Sequence, residues 1–535
     1  MLLDDLLPSL TANWPYVLSL VTTSILVLYF SNNYFNHGLN KYPGPFLASF
    51  TDAWRFSSVV RGKCQLELRE LHEQLGDVVR IGPNALSFSN PQAIKAIYGL
   101  NNRLNKSAFY PVQMQVSKGE VLQSLFGTQD QDYHTQLRRT VSSSFSMSSL
   151  IQYEPRVNET VRAFLKQTEQ LYATPGKVCD FITWLQYFAF DVITEITYSR
   201  RVGFVDNCED VDGIIAWLGK IFDYQAPAGQ MPFLDKFFVK NPIRTLLSKY
   251  GFIDNSSGTA KFSRARMAER LREIEAQKAS GVQESDRMDL LTMFLRAQRD
   301  NPSFFDDGRL LTMTTSIALA GSDTTAASLA AVFYHLLKNP RCYKKLNIEI
   351  EDSIKEGLIS NNGGIITWTD AQKLPYLHAC IQEAFRVHPA IGMILERIAP
   401  PQGVQVGKEF IQGGTVVGCN PWVIHYRREV FGDDVEMYRP ERWLLSPDET
   451  ASKYAARVRE MNNTLFHFGG GSRTCLGKHI ALLEMCKLIP SFLRRFEIKL
   501  DTDDDWDLHT AWFVKPKKFD VHLIAKEKLV VDKQS

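Results

Sequence analysis

Phe468-Gly-Gly-Gly-Ser-Arg-Thr-Cys475-Leu-Gly477 is the stretch of this chain that says most about its fold. It places one cysteine in a glycine-rich loop that leads directly into an apolar helix. A helix N-terminus offers unpaired N–H groups and a positive dipole end, which stabilise an anionic sulfur. Phe468 can cover the sulfur, Arg473 adds a cation, and Gly477 allows a flat ligand to come close. Such a thiolate suits the axial position of a haem iron.

A structural cysteine in a loop before a helix is the alternative interpretation of this stretch. The complete spacing Phe-x-x-Gly-x-Arg-x-Cys-x-Gly argues against it, and it resembles the haem-binding loop of the cytochrome P-450 family. The resemblance implies that haem b is the cofactor and that Cys475 is the axial ligand of its iron. It also places Phe468, Arg473 and Gly477 beside the cofactor.

A second motif, Ala320-Gly-Ser-Asp-Thr324, lies inside an apolar stretch that predicts one long helix from Leu310 to Lys338. A helix that is apolar on all sides is buried, so Asp323 needs a partner or a function. Ala320, Asp323 and Thr324 share one face, and the Thr324 hydroxyl can bond to the carbonyl one turn back and loosen the helix. The alternative is a structural aspartate paired with a distant arginine. The family resemblance implies instead that Asp323 and Thr324 are catalytic and manage protons during oxygen activation.

Two further groups of residues are assigned through the same resemblance. Glu383 and Arg386 in Glu-Ala-Phe-Arg, together with Arg442 in Pro-Glu-Arg-Trp, are expected to form a buried charge network that supports the loop. His134, Arg138 and Arg397 match the positions that bind the haem propionates, although tryptophan is commoner than histidine at the first of them. An ordinary amphipathic helix with a solvated basic face is the alternative for His134 and Arg138.

The bulk composition fits one large intracellular domain. The chain has 535 residues, a net charge of +2 that gives no reason to expect nucleic acid, and eight cysteines without a regular spacing. Reduced thiols are therefore expected. Hydrophobic periodicity predicts mostly α structure with minor β, broken by a loop at residues 224–232. We expect a membrane anchor with its flank over residues 1–40 and a single cytochrome P-450-type haem domain over 41–535.

The N-terminal region predicts a single transmembrane helix. Tyr16–Phe30 carries no charge, Asp4 and Asp5 precede it, and the first basic residues, Lys41 and Arg55, follow it. The positive-inside rule places the remainder of the chain on the cytosolic side. The endoplasmic reticulum membrane is the expected location.

These features predict a haem-thiolate monooxygenase that uses O2 to hydroxylate or otherwise oxidise a hydrophobic small molecule. The chain has no flavin or iron–sulfur motif of its own, so electrons are expected from a separate NADPH-dependent flavoprotein reductase, which carries the NADPH and flavin sites. Candidate basic contacts for that reductase are Lys478, Lys487 and Arg139. Substrate contacts are expected from residues 109–126, 222–238, 391–395 and 511–514, and from Ser316 and Ala320.

The sequence is most similar to fungal enzymes of secondary metabolism of the pisatin demethylase-like type. Family members also catalyse desaturation, dealkylation and ring coupling, and these reactions remain alternatives. A haem-binding sensor or carrier without turnover is a further alternative, and the presence of Asp323 and Thr324 argues against it.

Overall fold

The computed structural model describes residues 14–100, 104–280, 288–360 and 362–526, and these residues are mainly helical. The predicted class, mostly α with minor β, is confirmed. The α-helices are α1 Trp14–Phe35, α2 Ala53–Val60, α3 Cys64–Leu75, α4 Gln92–Tyr98, α5 Phe109–Val112, α6 Gln131–Val141, α7 Met147–Leu150, α8 Glu154–Thr168, α9 Phe181–Tyr198, α10 Phe204–Asn207, α11 Ile214–Gln230, α12 Pro242–Lys249, α13 Gly258–Ala279, α14 Leu290–Asp300, α15 Asp307–Ala320, α16 Asp323–Lys338, α17 Pro340–Lys355, α18 Trp368–Ala371, α19 Pro375–Val387, α20 Pro421–Ile424, α21 Arg428–Phe431, α22 Ala451–Thr464 and α23 Lys478–Arg495.

Short strands form small sheets at the edges of the helical body. One sheet has the order β1-β2-β10-β7-β3, a second has the order β11-β14-β6, and three two-stranded pairs are β4-β5, β8-β9 and β12-β13. The strands are β1 Val78–Gly82, β2 Ala85–Phe88, β3 Asn105–Lys106, β4 Val116–Ser117, β5 Glu120–Val121, β6 Cys179–Asp180, β7 Arg397–Ile398, β8 Val404–Val406, β9 Glu409–Ile411, β10 Val416–Cys419, β11 Phe496–Leu500, β12 Leu508–Thr510, β13 Val514–Pro516 and β14 Asp520–Ala525.

The centre of the domain is made by helices whose residues are apolar on nearly every face. α16 packs against α9, α19 and α23, and most residues of these four helices are buried. A helix without a polar face is stable in a protein core or in a membrane, and these helices are covered by protein. The sequence pattern therefore places α9 and α16 in the core and leaves the small sheets outside it.

The predicted continuous helix from Leu310 to Lys338 is wrong, because the structure has two helices, α15 and α16, on either side of Gly321 and Ser322. The Thr324 hydroxyl donates a hydrogen bond to the Ala320 carbonyl at 2.8 Å. This bond engages a carbonyl that the helix ladder would otherwise use, and it accounts for the local opening. A Cβ at Gly321 would lie 2.8 Å from Ile193 of α9, so only glycine permits this approach.

The predicted loop at residues 224–232 is also wrong, since α11 continues to Gln230 and contains Pro227. Tertiary packing explains the difference. Phe222 and Ala226 are buried on the inner face of α11. The missing Cβ of Gly229 lets the last turn lie against the ring of Phe109, at a place where a Cβ would be 2.3 Å from a ring carbon. Burial of one face therefore outweighs the cost of the proline.

The N-terminal helix α1 is fastened to the sheet by one arginine. Arg80 in β1 is almost fully buried, and its guanidinium donates hydrogen bonds to the carbonyls of Asn33 at 2.6 Å, Tyr34 at 2.9 Å and Pro83 at 2.8 Å. The first two carbonyls belong to the last turn of α1, where a cation also meets the negative end of the helix dipole. The Tyr34 ring stacks on Phe50 at 5.6 Å.

Two described helical stretches are long and apolar enough to cross a membrane. The stretch Asp307–Lys338 is mostly buried in the domain core, whereas Trp14–Lys41 near the N-terminus has none of its apolar window buried. The first is therefore a core element, and the second is consistent with a membrane anchor. Residues 1–13 of the expected anchor, including Asp4 and Asp5, lie outside the described residues.

A second apolar surface, residues 233–253, follows α11. We call it the apolar surface segment. Its exposed large side chains are Phe233, Phe237, Phe238, Ile243, Leu246, Leu247, Tyr250, Phe252 and Ile253. Phe233, Phe237 and Phe238 were expected to contribute to the substrate pocket, and their exposure of more than half contradicts that assignment. Exposed apolar patches of this size mark contacts with a membrane or a partner.

One ionisable residue in the core has no partner. Glu484 of α23 is fully buried, and neither of its carboxylate oxygens has a hydrogen-bond partner in the described part of the chain. Burial raises the pKa of this carboxyl well above its ordinary value of about 4.5. The side chain is therefore most stable as the neutral acid.

Replacing Glu484 by glutamine should change how stability depends on pH. Because the folded-state pKa is raised, the neutral acid contributes fully below the unfolded pKa, and this contribution is lost as the pH rises towards the folded pKa. Glutamine cannot ionise, so the variant should gain up to about 1.4 kcal/mol relative to wild type per pH unit across that window. Unfolding followed between pH 5 and pH 8 measures the difference. Glu497→Gln, at an exposed position, is the control, and parallel curves for wild type and Glu484→Gln would contradict the assignment.

Candidate active site

The cysteine loop has the conformation that its glycines require. The Cys475 amide donates to the Phe468 carbonyl at 2.9 Å, which closes the loop three residues before α23 begins. Gly471 has φ +61°, and a Cβ there would lie 1.9 Å from the Tyr98 carbonyl oxygen. At Gly477 a Cβ would meet nothing nearer than the Cys475 sulfur at 4.0 Å, its own chain neighbours apart. The space beside the sulfur is therefore open on the side of Gly477.

The Cys475 side chain is accessible at its surface. Desolvation by the surrounding protein nevertheless raises the pKa of its thiol. The backbone amides of Gly477 and Lys478 and the guanidinium of Arg138 act in the opposite direction and lower that pKa. All eight cysteines of the chain lie within the described residues and are free, in agreement with the expected reduced thiols.

Phe468 connects this loop to the helix that carries the charge network. Its ring lies 4.2 Å from the ring of His467 and 5.3 Å from the ring of Phe385 in α19. His467 in turn stacks on Phe385 at 4.1 Å. The aromatic contacts hold the entrance of the loop against α19.

Three of the predicted cofactor-binding arginines are held by oxygen atoms of the protein. Arg138 of α6 donates to the Thr474 carbonyl at 2.8 Å, next to Cys475. Arg473 donates to the Thr128 carbonyl at 3.2 Å and to the Gln131 side chain at 3.1 Å. Arg397 of β7 donates to its neighbour's carbonyl at 2.8 Å and to the Tyr110 hydroxyl at 3.1 Å.

The positive charge around these arginines has a measurable effect on neighbouring groups. Burial and then Arg473 and Lys106 lower the pKa of the buried His134 to about 3, so its imidazole is neutral at physiological pH. Burial and then Arg397 lower the pKa of Arg473 to about 10. Lys106 of β3 belongs to the same cluster, and its pKa is held well below its usual range by burial, Arg397 and Arg473. We call Lys106, Arg138, Arg397 and Arg473 the cation cluster.

Lys106 is a site residue that the sequence analysis missed. It belongs to no motif, and only its pairing with β7 brings it into the cluster. The signal that could have found it is a lone basic residue in an otherwise uncharged stretch, Leu104–Val112.

The cation cluster fits a group with two carboxylates. Within the described ranges, none of Lys106, Arg138, Arg397 and Arg473 forms an ion pair with an acidic side chain, and the buried Nε of Arg473 has no hydrogen-bond partner. Uncompensated buried cations are costly unless an anion joins them. A haem placed with its iron at Cys475 would bring a propionate pair to this cluster. The residues present therefore fit the cofactor implied by the loop.

The two members of the predicted catalytic pair, Asp323 and Thr324, differ in burial and in hydrogen-bond partners. Thr324 is half-buried and Ala320 is exposed beside it, although both lie in the centre of a buried helix pair. Asp323 is fully buried, accepts a hydrogen bond from Lys515 of β13 at 2.9 Å and is also bonded to Gln186 of α9. The partner of the buried aspartate is therefore a lysine and not the arginine considered as an alternative. The sequence offered no signal for Lys515 or Gln186.

Glu383, Arg386 and Arg442 meet in one buried network. Arg386 donates to both carboxylate oxygens of Glu383, at 3.0 and 2.7 Å, and Arg442 donates to it at 3.2 Å. The Trp443 indole adds a hydrogen bond at 2.8 Å. Arg386 also donates to the carbonyls of His425 at 3.3 Å, Val435 at 2.7 Å and Met437 at 2.9 Å, and this fixes the segment that leads towards the cysteine loop.

The segments expected to contact substrate converge in part. The Phe109 ring lies 5.0 Å from Trp512, the Phe222 ring lies 4.9 Å from Phe513, and Ile391 forms a bridge with Phe513. The 109–126, 391–395 and 511–514 segments and the start of the 222–238 segment are therefore neighbours. Residues 233–238 of the 222–238 segment belong to the apolar surface segment described above.

One expected contact of the reductase is excluded by burial. Lys487 of α23 is fully buried, pairs with Glu154 and donates to the Ile366 carbonyl at 3.1 Å. It cannot meet another protein at the surface. Lys478 and Arg139, in contrast, are exposed.

A mostly helical domain has the features of a haem-thiolate protein when its accessible loop cysteine lies beside cations that form no ion pair within the described ranges. The sequence model of the cytochrome P-450 family matches residues 43–523, and the chain belongs to that family. It is 41% identical over 489 residues to the cytochrome P-450 monooxygenase cicH of Emericella nidulans, covering 91% of this chain and 94% of the relative. A cytochrome P-450 monooxygenase of Aspergillus terreus is 36% identical over 497 residues, covering 93% and 97%. The family and these relatives make the chain a cytochrome P-450 enzyme with a haem cofactor.

Replacing Glu383 by glutamine should destabilise the protein strongly. The change leaves Arg386 buried without a counter-charge and leaves Arg442 with Asp434 as its acidic partner, at a cost of about 3–5 kcal/mol. Urea unfolding of the haem-loaded protein measures this cost. Glu441→Gln is a matched control, because Glu441 belongs to the same Pro-Glu-Arg segment but pairs with Arg341 near the surface, where a loss below about 1 kcal/mol is expected. Equal effects of the two changes would show that the Glu383 network has no special role.

Proposed function

We propose that this protein is a membrane-anchored haem-thiolate monooxygenase. It uses O2 and electrons from an NADPH-dependent flavoprotein reductase to oxidise a hydrophobic small molecule, most consistently in fungal secondary-metabolite biosynthesis. The observation that carries the proposal is the Cys475 loop, which places an accessible sulfur at the start of α23, next to Arg138 of the cation cluster. The relatives, all from fungi, are named as monooxygenases and support the reaction class.

Each of the predicted site residues has a distinct proposed role. Cys475 is the proposed axial ligand, and Arg138, Arg397, Arg473 and His134 are proposed to hold the propionates, with Phe468 and Gly477 beside the ring. When bound, the haem supplies the redox chemistry of oxygen activation. Glu383, Arg386 and Arg442 support the loop and take no part in the chemistry.

Asp323 and Thr324 are proposed to deliver protons during oxygen activation. The Thr324 hydroxyl is half-buried in the opening between α15 and α16. Asp323 cannot reach solvent directly, but its partner Lys515 is 24% exposed. A proton from solvent can therefore reach Lys515 Nζ and pass from there to the buried Asp323 carboxylate. A rotation of the Asp323 side chain would then bring this proton to the side of Thr324.

The domain is proposed to extend from residue 41 to 535 and to face the cytosol, with residues 1–40 as a single-pass anchor in the endoplasmic reticulum membrane. α1 is unburied and apolar. The apolar surface segment and the exposed Phe46 and Leu47 provide further side chains that a bilayer would cover. Lys478 and Arg139, near the cysteine loop, are proposed contacts for an acidic surface of the reductase.

Hydroxylation is one outcome within this proposal, and dealkylation, desaturation and ring coupling stay open. A haem carrier without turnover is the candidate of a different class. The opening of the helix at Thr324 beside Ala320 favours turnover, since a carrier has no use for a gap in a buried helix.

The thiolate assignment predicts a difference between two cysteines. Reduced wild-type protein with carbon monoxide should show the strongly red-shifted Soret band of a thiolate-ligated haem. Cys475→Ala should lose this band because the axial sulfur is removed, whereas Cys486→Ala, at a buried position in the middle of α23, should retain it. If neither variant loses the band, the proposed function is overturned.

The proton-delivery assignment predicts uncoupling. Asp323→Asn should lower product formation by about 10²–10⁴-fold while NADPH consumption continues and hydrogen peroxide appears. Thr324→Ala should show a smaller loss if water replaces the hydroxyl. The ratio of hydrogen peroxide to NADPH in the reconstituted system, with any substrate that wild type oxidises, is the measurement. Ser328→Ala removes an equivalent hydroxyl-to-carbonyl bond one turn later and should leave the ratio unchanged. Unaltered coupling in both test variants would reduce the pair to a packing feature.

A further inference from the structure

Two directly opposite side chains of the β12–β13 hairpin contact two different helices. His509 of β12 is paired in register with Lys515 of β13, so both side chains project from the same face of the hairpin. The His509 Nε2 atom lies 2.7 Å from a carboxylate oxygen of Asp223 in α11. The Lys515 Nζ atom lies 2.9 Å from a carboxylate oxygen of Asp323 in α16. One face of the hairpin therefore connects α11 to the aspartate proposed to deliver protons.

The two pairs differ in their exposure to solvent. His509 and Asp223 are 44% and 56% exposed, whereas Lys515 is 24% exposed and Asp323 is fully buried. A hydrogen-bonded pair at the surface contributes little free energy, because water competes for both partners and screens their charges. Separating a buried carboxylate from its cation costs much more. The outer pair, Asp223–His509, is therefore the one that opens more readily.

The surroundings of His509 restrict its ring. The amide of the next residue, Thr510, donates to the Gly62 carbonyl at 3.2 Å. Gly62 has φ +69°, and a Cβ there would lie 3.3 Å from the His509 Nδ1 atom. The imidazole is thus confined between the Gly62 backbone and the Asp223 carboxylate. A ring confined in this way loses little further freedom when it pairs, which favours the contact with α11.

The residue before Asp223 makes a second contact between α11 and the hairpin. The ring of Phe222 lies 4.9 Å from the ring of Phe513, at the tip of the hairpin, and both side chains are buried. Both residues lie in segments expected to contact substrate. α11 is therefore held to the hairpin by an apolar contact on the side of the pocket and by the Asp223–His509 pair on the side of solvent. A displacement of α11 acts on the hairpin through both contacts.

We propose that the β12–β13 hairpin couples the position of α11 to proton delivery, with His509 as a positioning residue. While α11 lies on the hairpin, the Asp223–His509 pair holds β12, and the opposite strand keeps Lys515 against Asp323. When α11 is displaced, the hairpin is held on one side fewer and the Asp323–Lys515 pair loosens. Proton delivery is thereby tied to a closed pocket. This inference rests on the proposed function, because it takes Asp323 as a proton-delivery residue.

The first arm of the test removes the outer pair. His509→Phe keeps an aromatic ring of similar size without its nitrogens, and Asp223→Ala removes the same pair from the side of α11. Each should lower the product formed per NADPH consumed by about two- to five-fold, the range that a surface pair accounts for. The reconstituted system with any substrate that wild type oxidises provides the measurement, and the thiolate Soret band checks that each variant is folded. Exchanging the partners, in Asp223→His with His509→Asp, should restore most of the yield.

The chain offers a matched control for the outer pair. His522 of β14 is 45% exposed and lies 2.9 Å from a carboxylate oxygen of Asp501. Its strand carries no side chain that contacts Asp323. His522→Phe removes the same kind of pair and should leave the product formed per NADPH at the wild-type value.

The second arm distinguishes positioning from a general loosening of the pocket. Lys515→Met removes the connection between the hairpin and Asp323. If His509 acts through this lysine, adding His509→Phe to Lys515→Met protein should lower the yield no further. If Lys515→Met does not fold, Asp323→Asn provides the background, and the same result is expected. Substrate dissociation constants from the shift of the Soret band, measured in the same proteins, separate an effect on binding from an effect on proton delivery.

Two results would overturn the inference. One is a wild-type yield in both His509→Phe and Asp223→Ala. The other is an equal fall in yield on adding His509→Phe to wild type and to Lys515→Met protein, because the histidine would then act without the lysine. Failure of the proposed function looks different: wild-type protein lacks the thiolate Soret band, or Asp323→Asn and Thr324→Ala remain coupled.

Discussion

Positive charge kept inside the protein without a matching negative charge is the constraint on which the arrangement of this molecule depends. A strand pair, a helix and the cysteine loop each bring cations to the same interior space. Backbone carbonyls bind them: that of Thr474 accepts from Arg138, that of Thr128 from Arg473 and that of Phe126 from Lys106. A carbonyl dipole solvates a cation without cancelling its charge. The fold thereby preserves a positive potential for an anion that arrives from outside the chain.

The charge network of α19 solves the opposite problem. There the Glu383 carboxylate lies against two guanidinium groups, and each remaining donor of Arg386 and Arg442 is used by a carbonyl or by Asp434. Every group in the network is satisfied by the protein itself, so it needs no ligand. The network around Glu383 is rigid because its polar groups all have partners. The cation cluster can accept an anion because its charges have no acidic partner among the described residues. The aromatic contacts among Phe385, His467 and Phe468 join the two regions.

The sequence was sufficient where a function depends on residues close together in the chain. The cysteine loop, the Thr324 hydroxyl bond and the Glu383 segment could be predicted because their spacing fixes their geometry. Lys515 and Lys106 could not, since their partners lie 192 residues away at Asp323 and across a strand pair at Arg397. No periodicity links such positions. Sequence reasoning also ended α11 too early, because a proline signal is local whereas the burial that holds the helix is not.

The Arg80 contact has a consequence for how a soluble form of the enzyme should be cut. Two of the guanidinium's acceptors, the carbonyls of Asn33 and Tyr34, lie on the anchor side of the boundary at residue 41. A chain that begins at residue 41 would retain the buried Arg80 but lose two of its hydrogen-bond acceptors. A chain that begins within the apolar part of α1, ahead of Asn33, would retain all of these acceptors. The last turn of the membrane helix thus belongs, in terms of hydrogen bonding, to the globular domain.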